Sequence, residues 1–269
     1  LGMKIYISAD IEGITSINHW DEATIGQPGY ELFREQMTRE VIAACEGSLA
    51  AGATHITVKD AHDSGRNLIP DRLPEQVQLI RGWSGHPYCM VQELDRSYDA
   101  LILIGYHSPA GSGAHPLAHT YTTEVSQIRL NGQAFAEFHL VSLTAAYEGI
   151  PVVFLAGDAD LCAAAKAYDP KIQTVITHKG IGQSVVAHHP QRILQQIREG
   201  VAQALHQLEN HQPRPLPEHF LLEVDYKHPP RAYRKSFYPG ATLAGDYTVQ
   251  LAVSDWFEVL RALEFIVLS

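Results

Sequence analysis

The sequence predicts an α/β protein: a largely parallel sheet flanked by helices, with a small C-terminal α+β lobe. Three observations point there. Short apolar runs at residues 3–9, 100–105 and 152–156 read as buried strands. A run with helical spacing, residues 30–51, separates the first of these from another strand at 55–59. Strand, helix and strand in about fifty residues form a βαβ unit, which implies parallel strands. The same alternation then repeats along the chain.

The elements follow in order. Met3-Lys4-Ile5-Tyr6-Ile7-Ser8-Ala9 is apolar and short enough for a central strand. Residues 26–29, bounded by two glycines, are loop. In 30–51, Phe33, Met37, Val41, Ala44 and Leu49 lie near one side, and Gly52 stops the helix. Strands are expected at 55–59 and 100–105. Asn131-Gly132, between strand-like runs 125–130 and 133 onward, is a two-residue hairpin signal. Residues 138–148 read as helix, stopped by Gly149 and Pro151. A strand at 152–156 leads to a helix at 158–167 capped by Asp158, then a strand at 173–177. Residues 190–208 form an amphipathic helix with Ile193, Ile197, Val201, Leu205 and Leu208 on one stripe. Pro213, Pro215 and Pro217 break the pattern and suggest a boundary, with residues 3–212 the main domain. Residues 213–269 are a C-terminal lobe or a continuation of the same domain. There, 220–226 and 247–253 alternate like strands, and 256–267 resembles a closing helix. No internal repeat is visible.

Composition bounds the function. The chain has 269 residues, 45% hydrophobic and 19% charged, with a net charge of −10 and no basic block. Such a surface repels phosphate backbones and anionic lipids, so neither nucleic acid nor a membrane is the expected partner. No apolar stretch reaches the length of a membrane span and no signal peptide opens the chain; Met3, after Leu1 and Gly2, reads as the natural start. The three cysteines, Cys45, Cys89 and Cys162, are far apart and odd in number. They suit neither a disulfide framework nor a thiolate zinc site and fit a reducing cytoplasm. Cys45 reads as core. Of fifteen histidines, His188, His189, His206, His211 and His228 sit among polar residues and read as surface.

The chemistry gathers at strand ends. In Ser8-Ala9-Asp10-Ile11-Glu12-Gly13, two carboxylates two residues apart share one side of an extended segment. Held that close they need a cation or a proton between them, although strand-end acids also cap turns. Lys59-Asp60-Ala61-His62-Asp63-Ser64 and Ile104-Gly105-Tyr106-His107-Ser108 each put a histidine just past a parallel strand, the edge where open α/β sheets bind ligands. Each alone is equally a backbone-bonded loop histidine. Together they offer Asp, Glu, His and His to one edge. Carboxylate plus imidazole without thiolate suits a catalytic zinc or manganese. Residues 108–114 are small and Gly-rich, a mobile loop over the site by expectation. His119 stands where that loop re-enters the strand pattern, as a surface or a functional histidine, with His115 its nearest competitor. Glu137, between Ala136 and Phe138, is a helix N-terminal acid or a ligand. His139 is expected to pack or hydrogen-bond elsewhere.

This set resembles the D-aminopeptidase family of zinc peptidases: S-x-D-x-E-G, D-x-H-D-S, G-Y-H, a later His, the Asn-Gly hairpin with a following A-E, and Ala156-Gly157-Asp158. The order holds from Met3 to about Asp158 and continues more faintly beyond. The resemblance implies that Asp10 bridges two zinc ions, and that Glu12, His62, His107 and Glu137 complete the ligand set. It implies that His119 is the catalytic residue, proposed as nucleophile. It further implies removal of N-terminal D-amino acids from short peptides or amides, and a homo-oligomer, a ring-like decamer in the best-known member. Five ligands exceed one four-coordinate zinc, which also favours two ions per chain, zinc, manganese or another divalent metal. Here the 107–119 loop is a residue longer than the family's and carries His115, which matches no family position and is expected to be dispensable. Other readings are a metal-dependent hydrolase of another amide or of a phosphoester, and a metal-binding sensor without turnover; a spare histidine speaks against the sensor.

Overall fold

The computed structural model describes residues 2–269, so of the two residues before the expected start only Leu1 lies outside it. The chain runs β1 (Met3–Ala9), α1 (Trp20–Ala23), α2 (Tyr30–Ala50), β2 (Ala53–Asp60), β3 (Val77–Ile80) and β4 (Ala100–Tyr106). Next come β5 (Val125–Leu130), β6 (Gln133–Ala134), α3 (Glu137–Tyr147), β7 (Val152–Asp158), α4 (Ala159–Tyr168), β8 (Gln173–Ile181), β9 (Ser184–Ala187) and α5 (Pro190–His206). It closes with β10 (Phe220–Tyr226), α6 (Pro229–Lys235), β11 (Ala241–Leu243), β12 (Thr248–Val253) and α7 (Trp256–Leu263).

The main sheet has the order β3-β2-β1-β4-β7-β8-β9, parallel except for the β8–β9 hairpin. This is the α/β fold expected. Period-two alternation along β1 divides the core. Ile5 and Ile7 pack with α2 and α5 through Met37, Val41, Ile193, Ile197 and Val201. Tyr6 faces the other way, toward Phe138 of α3, Leu161 of α4 and Trp256 of α7. The Asn131-Gly132 hairpin is present, with φ of 52° and 78° as a tight two-residue turn requires. Asp158 caps α4 as read, accepting from the Asp160 and Leu161 amides.

A second, antiparallel sheet has the order β11-β12-β10-β5-β6. β10 pairs with β5, from Leu222 opposite Leu130 to Tyr226 opposite Val125, so residues on both sides of the proline-rich break build one sheet. One surface reading fails: His211 is buried, 5% exposed, beside Asp169 and Lys171; its polar sequence neighbours gave no sign of this tertiary contact. The closing helix expected over 256–267 is present, as α-helix to Leu263 and then as a π turn, Glu264–Leu268. Among the described residues, no helix is long and apolar enough to cross a membrane, and all three cysteines are free, with Cys45 buried.

Candidate metal centre

In the main sheet β1 has β2 on one side and β4 on the other. The crevice outside the strand ends at such a switch point is where open α/β sheets bind ligands. The loops leaving β1 and β4 touch. The Asp10 amide donates to the Ile104 carbonyl and the Gly13 amide to that of Gly105. A Cβ on Gly13 would lie 1.8 Å from the Tyr106 carbonyl oxygen, and one on Gly105 2.2 Å from that of Asp10. Two glycines therefore allow the backbones to meet and bring Asp10, Glu12 and His107 to one place.

Two further carboxylates shape the loops without joining the cluster. Asp60 accepts from the Asn67 amide and side chain and from the Leu68 amide, while Asn67 Nδ2 donates to the His62 carbonyl. That ties down the loop bearing His62. Asp158 accepts from the Ser108 amide and hydroxyl, fixing the residue after His107. Glu137 is the first residue of α3, and its Oε1 accepts from the Tyr121 amide at 2.6 Å. His139 turns away: its Nδ1 accepts from the Ala136 amide, and burial lowers its pKa to about 4.

Asp10, Glu12, His62, His107, His119 and Glu137 meet in one cluster. All but His119 are at most 7% exposed. Each imidazole has one ring nitrogen against a backbone carbonyl: His62 Nε2 on Ala23 at 2.7 Å, His107 Nδ1 on Ser108 at 3.0 Å, and His119 Nδ1 on Leu117 at 2.9 Å. A nitrogen facing a carbonyl must carry the proton, so the other nitrogen presents a lone pair. Those lone pairs face carboxylates. His62 Nδ1 is 3.4 Å from Asp10 Oδ1 and 3.1 Å from Glu12 Oε2. His107 Nε2 is 3.4 Å from Asp10 Oδ2 and 3.2 Å from Glu137 Oε2. His119 Nε2 is farther, 3.7 Å from Glu12 Oε1 and 4.0 Å from Glu137 Oε1.

Lone pairs aimed at carboxylates need a positive charge between them. Without a metal, protons must supply it. Burial pushes the His62 pKa down, but Glu12 and Asp10 outweigh that and raise it well above the usual value; Glu137 and Asp10 do the same for His107. Burial raises Asp10, yet the facing imidazoles of His107 and His62 bring it to about 2, and Glu137 is likewise lowered by His107 against its burial. Among the described residues, no lysine or arginine pairs with Asp10, Glu12 or Glu137. Glu12 Oε2 and His107 Nε2 are buried without a hydrogen-bond partner. The donor set, three carboxylates and imidazoles locked in the metal-ready tautomer, fits divalent ions. Three groups within it could hold an ion: Asp10, Glu12 and His62; Asp10, His107 and Glu137, which shares Asp10 with the first; and Glu12, His107 and His119.

His119 stands at the edge of the cluster. Its ring stacks on His107 with centroids 4.4 Å apart and meets the edge of Trp20 at 5.1 Å. It lines a cavity of about 300 Å³ shared with Asp10, Glu12, His62 and Glu137. Residues invisible to motif reading complete the wall: Trp83, Met90, Tyr121, Glu264 and Leu268. Trp83 is held by its indole N–H on the Asp63 carbonyl and by Lys59 Nζ, 3.8 Å from its ring centroid. Cys89 also lines the cavity, its thiol pushed up to about 12 by burial.

The loop before His119 is docked rather than free. His115 is 4% exposed, its Nδ1 accepts from the Leu117 amide, and its ring lies 4.6 Å from that of His178 on β8. Gly180 on the same strand sits so close that a Cβ there would meet the Ala114 carbonyl oxygen at 2.1 Å.

Comparison with known proteins agrees with this geometry. A family model described as D-aminopeptidase matches residues 3–265. A D-aminopeptidase of Bacillus subtilis (strain 168) is 27% identical over 263 residues, 97% of this chain and 95% of that protein. A solved structure described as the Zn-dependent D-aminopeptidase DppA from Bacillus subtilis, a self-compartmentalizing protease, superposes with a TM-score of 0.92. It is 26% identical, and the match covers 98% of this chain and 96% of that one.

Proposed function

This chain belongs to the D-aminopeptidase family, and from that premise we propose that it is a zinc-dependent aminopeptidase removing N-terminal D-amino acids from short peptides or amino-acid amides. In this reading Asp10, Glu12, His62, His107 and Glu137 would hold two zinc ions, with Asp10 common to both groups of ligands. The observation that carries it is the pair of triads sharing Asp10, whose Oδ1 faces His62 and whose Oδ2 faces His107. Two divalent ions supply Lewis acidity for the scissile carbonyl and a hold on the attacking group.

The remaining work falls to side chains. Asp10, Glu12 and Glu137 hold the cationic centre, and the Ala23 and Ser108 carbonyls keep the two ligand imidazoles in register. His119 acts at the scissile bond through Nε2. The Leu117 carbonyl holds Nδ1–H, which turns Nε2 toward the scissile bond as nucleophile, general base or proton donor to the leaving nitrogen. His107 and Trp20 fix its plane. The relative's self-compartmentalizing character supports a closed homo-oligomer here, and we extend this to a decameric ring. Free cysteines suit a cytoplasmic location.

The deciding experiment joins metal analysis of the purified protein to hydrolysis of paired D- and L-aminoacyl amides. Two zinc ions per chain and faster turnover of the D-amides are expected. One ion or none, equal turnover of both enantiomers, or activity confined to phosphoesters would overturn the reading.

A further inference from the structure

An aminopeptidase must recognise a free α-ammonium, and none of the residues assigned above does so. The problem is electrostatic. Two divalent ions exceed the charge of Asp10, Glu12 and Glu137 by one positive unit, so an arriving ammonium meets repulsion in a partly desolvated cavity. A carboxylate outside the ligand set has to offset it.

The cavity wall offers few groups. Gln92 is engaged, its Oε1 accepting from the Ser84 amide. His86 Nδ1 accepts from the Tyr88 amide. Cys89 stays a neutral thiol. Two carboxylates remain, Asp63 and Glu264. Asp63 sits beside the ligand His62 and also borders a smaller recess with Trp20. Glu264 comes from the π turn after α7, which also brings Leu268 to the cavity wall. Among the described residues, no hydrogen bond or ion pair holds its carboxyl, and partial burial raises its pKa. Glu264, Cys89 and the ligand Glu137 line the same cavity.

We propose that Glu264 is the anchor for the substrate's α-ammonium in the cavity it shares with His119 and the metal centre. The assignment rests on the aminopeptidase reading. It makes Glu264 a specificity residue: the ammonium docks on the π turn, the amino-acid side chain lies along the Trp83, Met90 and Leu268 wall, and the scissile carbonyl reaches the metal centre.

The test is calorimetric titration of the zinc-loaded protein with 3-methylbutylammonium, which carries the cation, and with 4-methylpentanamide, which lacks it. Glu264→Gln should weaken the ammonium ligand roughly ten- to hundredfold, as for a lost charged hydrogen bond. Binding of the neutral amide should change less than about twofold and zinc content should stay the same. With D-leucinamide as substrate, KM should rise by the same factor while kcat stays within about threefold. Equal ammonium binding by wild type and Glu264→Gln overturns the anchor, as does a loss seen in Asp63→Asn instead. A wild-type protein that hydrolyses no aminoacyl amide overturns the aminopeptidase reading itself, and the anchor with it.

Discussion

His119 differs from the other two imidazoles of the cluster in standing farther from the carboxylates, 3.7 Å and 4.0 Å against 3.1–3.4 Å. His119→Ala should therefore keep the wild-type zinc content and the fold while turnover falls by about 10²–10⁴. Near wild-type turnover in that variant would sink the assignment. His62→Ala should behave differently, lowering zinc content and activity together, because its Nδ1 lies against both Asp10 and Glu12. Zinc measured alongside kcat separates the two cases. At this scale the sequence was partly legible. Asp10, Glu12, His62 and His107 could be read because a strand end fixes where the next residues point. His119 and Glu137 stayed ambiguous without the family resemblance, because their positions depend on how a loop closes and where a helix begins. Glu264 was illegible, since nothing near it in sequence shows that the last turn of the chain folds back over the strand ends.

Among the elements, long periodic ones were legible and short edge ones were not. α2, α5 and the buried strands carry apolar periodicities that burial enforces. β3, β9 and β11 have three or four residues and are stabilised by the neighbour they pair with. The Gly-rich 108–114 segment, expected to be mobile, meets β8 where it ends, through the Gly180 approach to Ala114 and the His115–His178 contact. These contacts change the expectation that His115 is dispensable: His115→Ala should cost roughly tenfold in kcat by loosening the segment that aims His119, with zinc content unchanged. His115→Asn should recover most of it, since the amide oxygen can replace Nδ1 as acceptor for the Leu117 N–H. Failure of Asn to improve on Ala would show that the ring's packing, not its hydrogen bond, is what matters. The contact between the β1 and β4 loops makes a harsher prediction. Gly105→Ala adds a Cβ at φ 72°, 2.2 Å from the Asp10 carbonyl. It should destabilise by more than about 2 kcal/mol in chemical denaturation and reduce zinc retention.

For the whole molecule, the centre ties together elements from the first half of the chain: β1, β2 and β4 ends, the 108–121 segment and α3. Chelation should lower the thermal midpoint by roughly 5–10 °C, read by calorimetry with zinc added back. Sedimentation at micromolar concentration should show a closed oligomer, and a monomer would count against the ring. The antiparallel sheet formed by β5, β6 and β10–β12 was not legible as one unit, because strand partners across a proline-rich break are chosen by tertiary packing rather than local pattern. The three imidazoles of the cluster share a feature with a longer reach. Each is oriented by a main-chain carbonyl, from Ala23, Ser108 and Leu117. A carbonyl persists whatever side chain its residue carries, so no single substitution deletes one of these orienting partners. The reactive geometry is thereby insulated from mutational drift in its surroundings, while the cavity wall of Trp83, Met90, Glu264 and Leu268 consists of replaceable side chains. Such a division leaves the chemistry conserved by construction and the substrate range free to diversify, so libraries randomised at the wall should yield altered selectivity with zinc binding preserved.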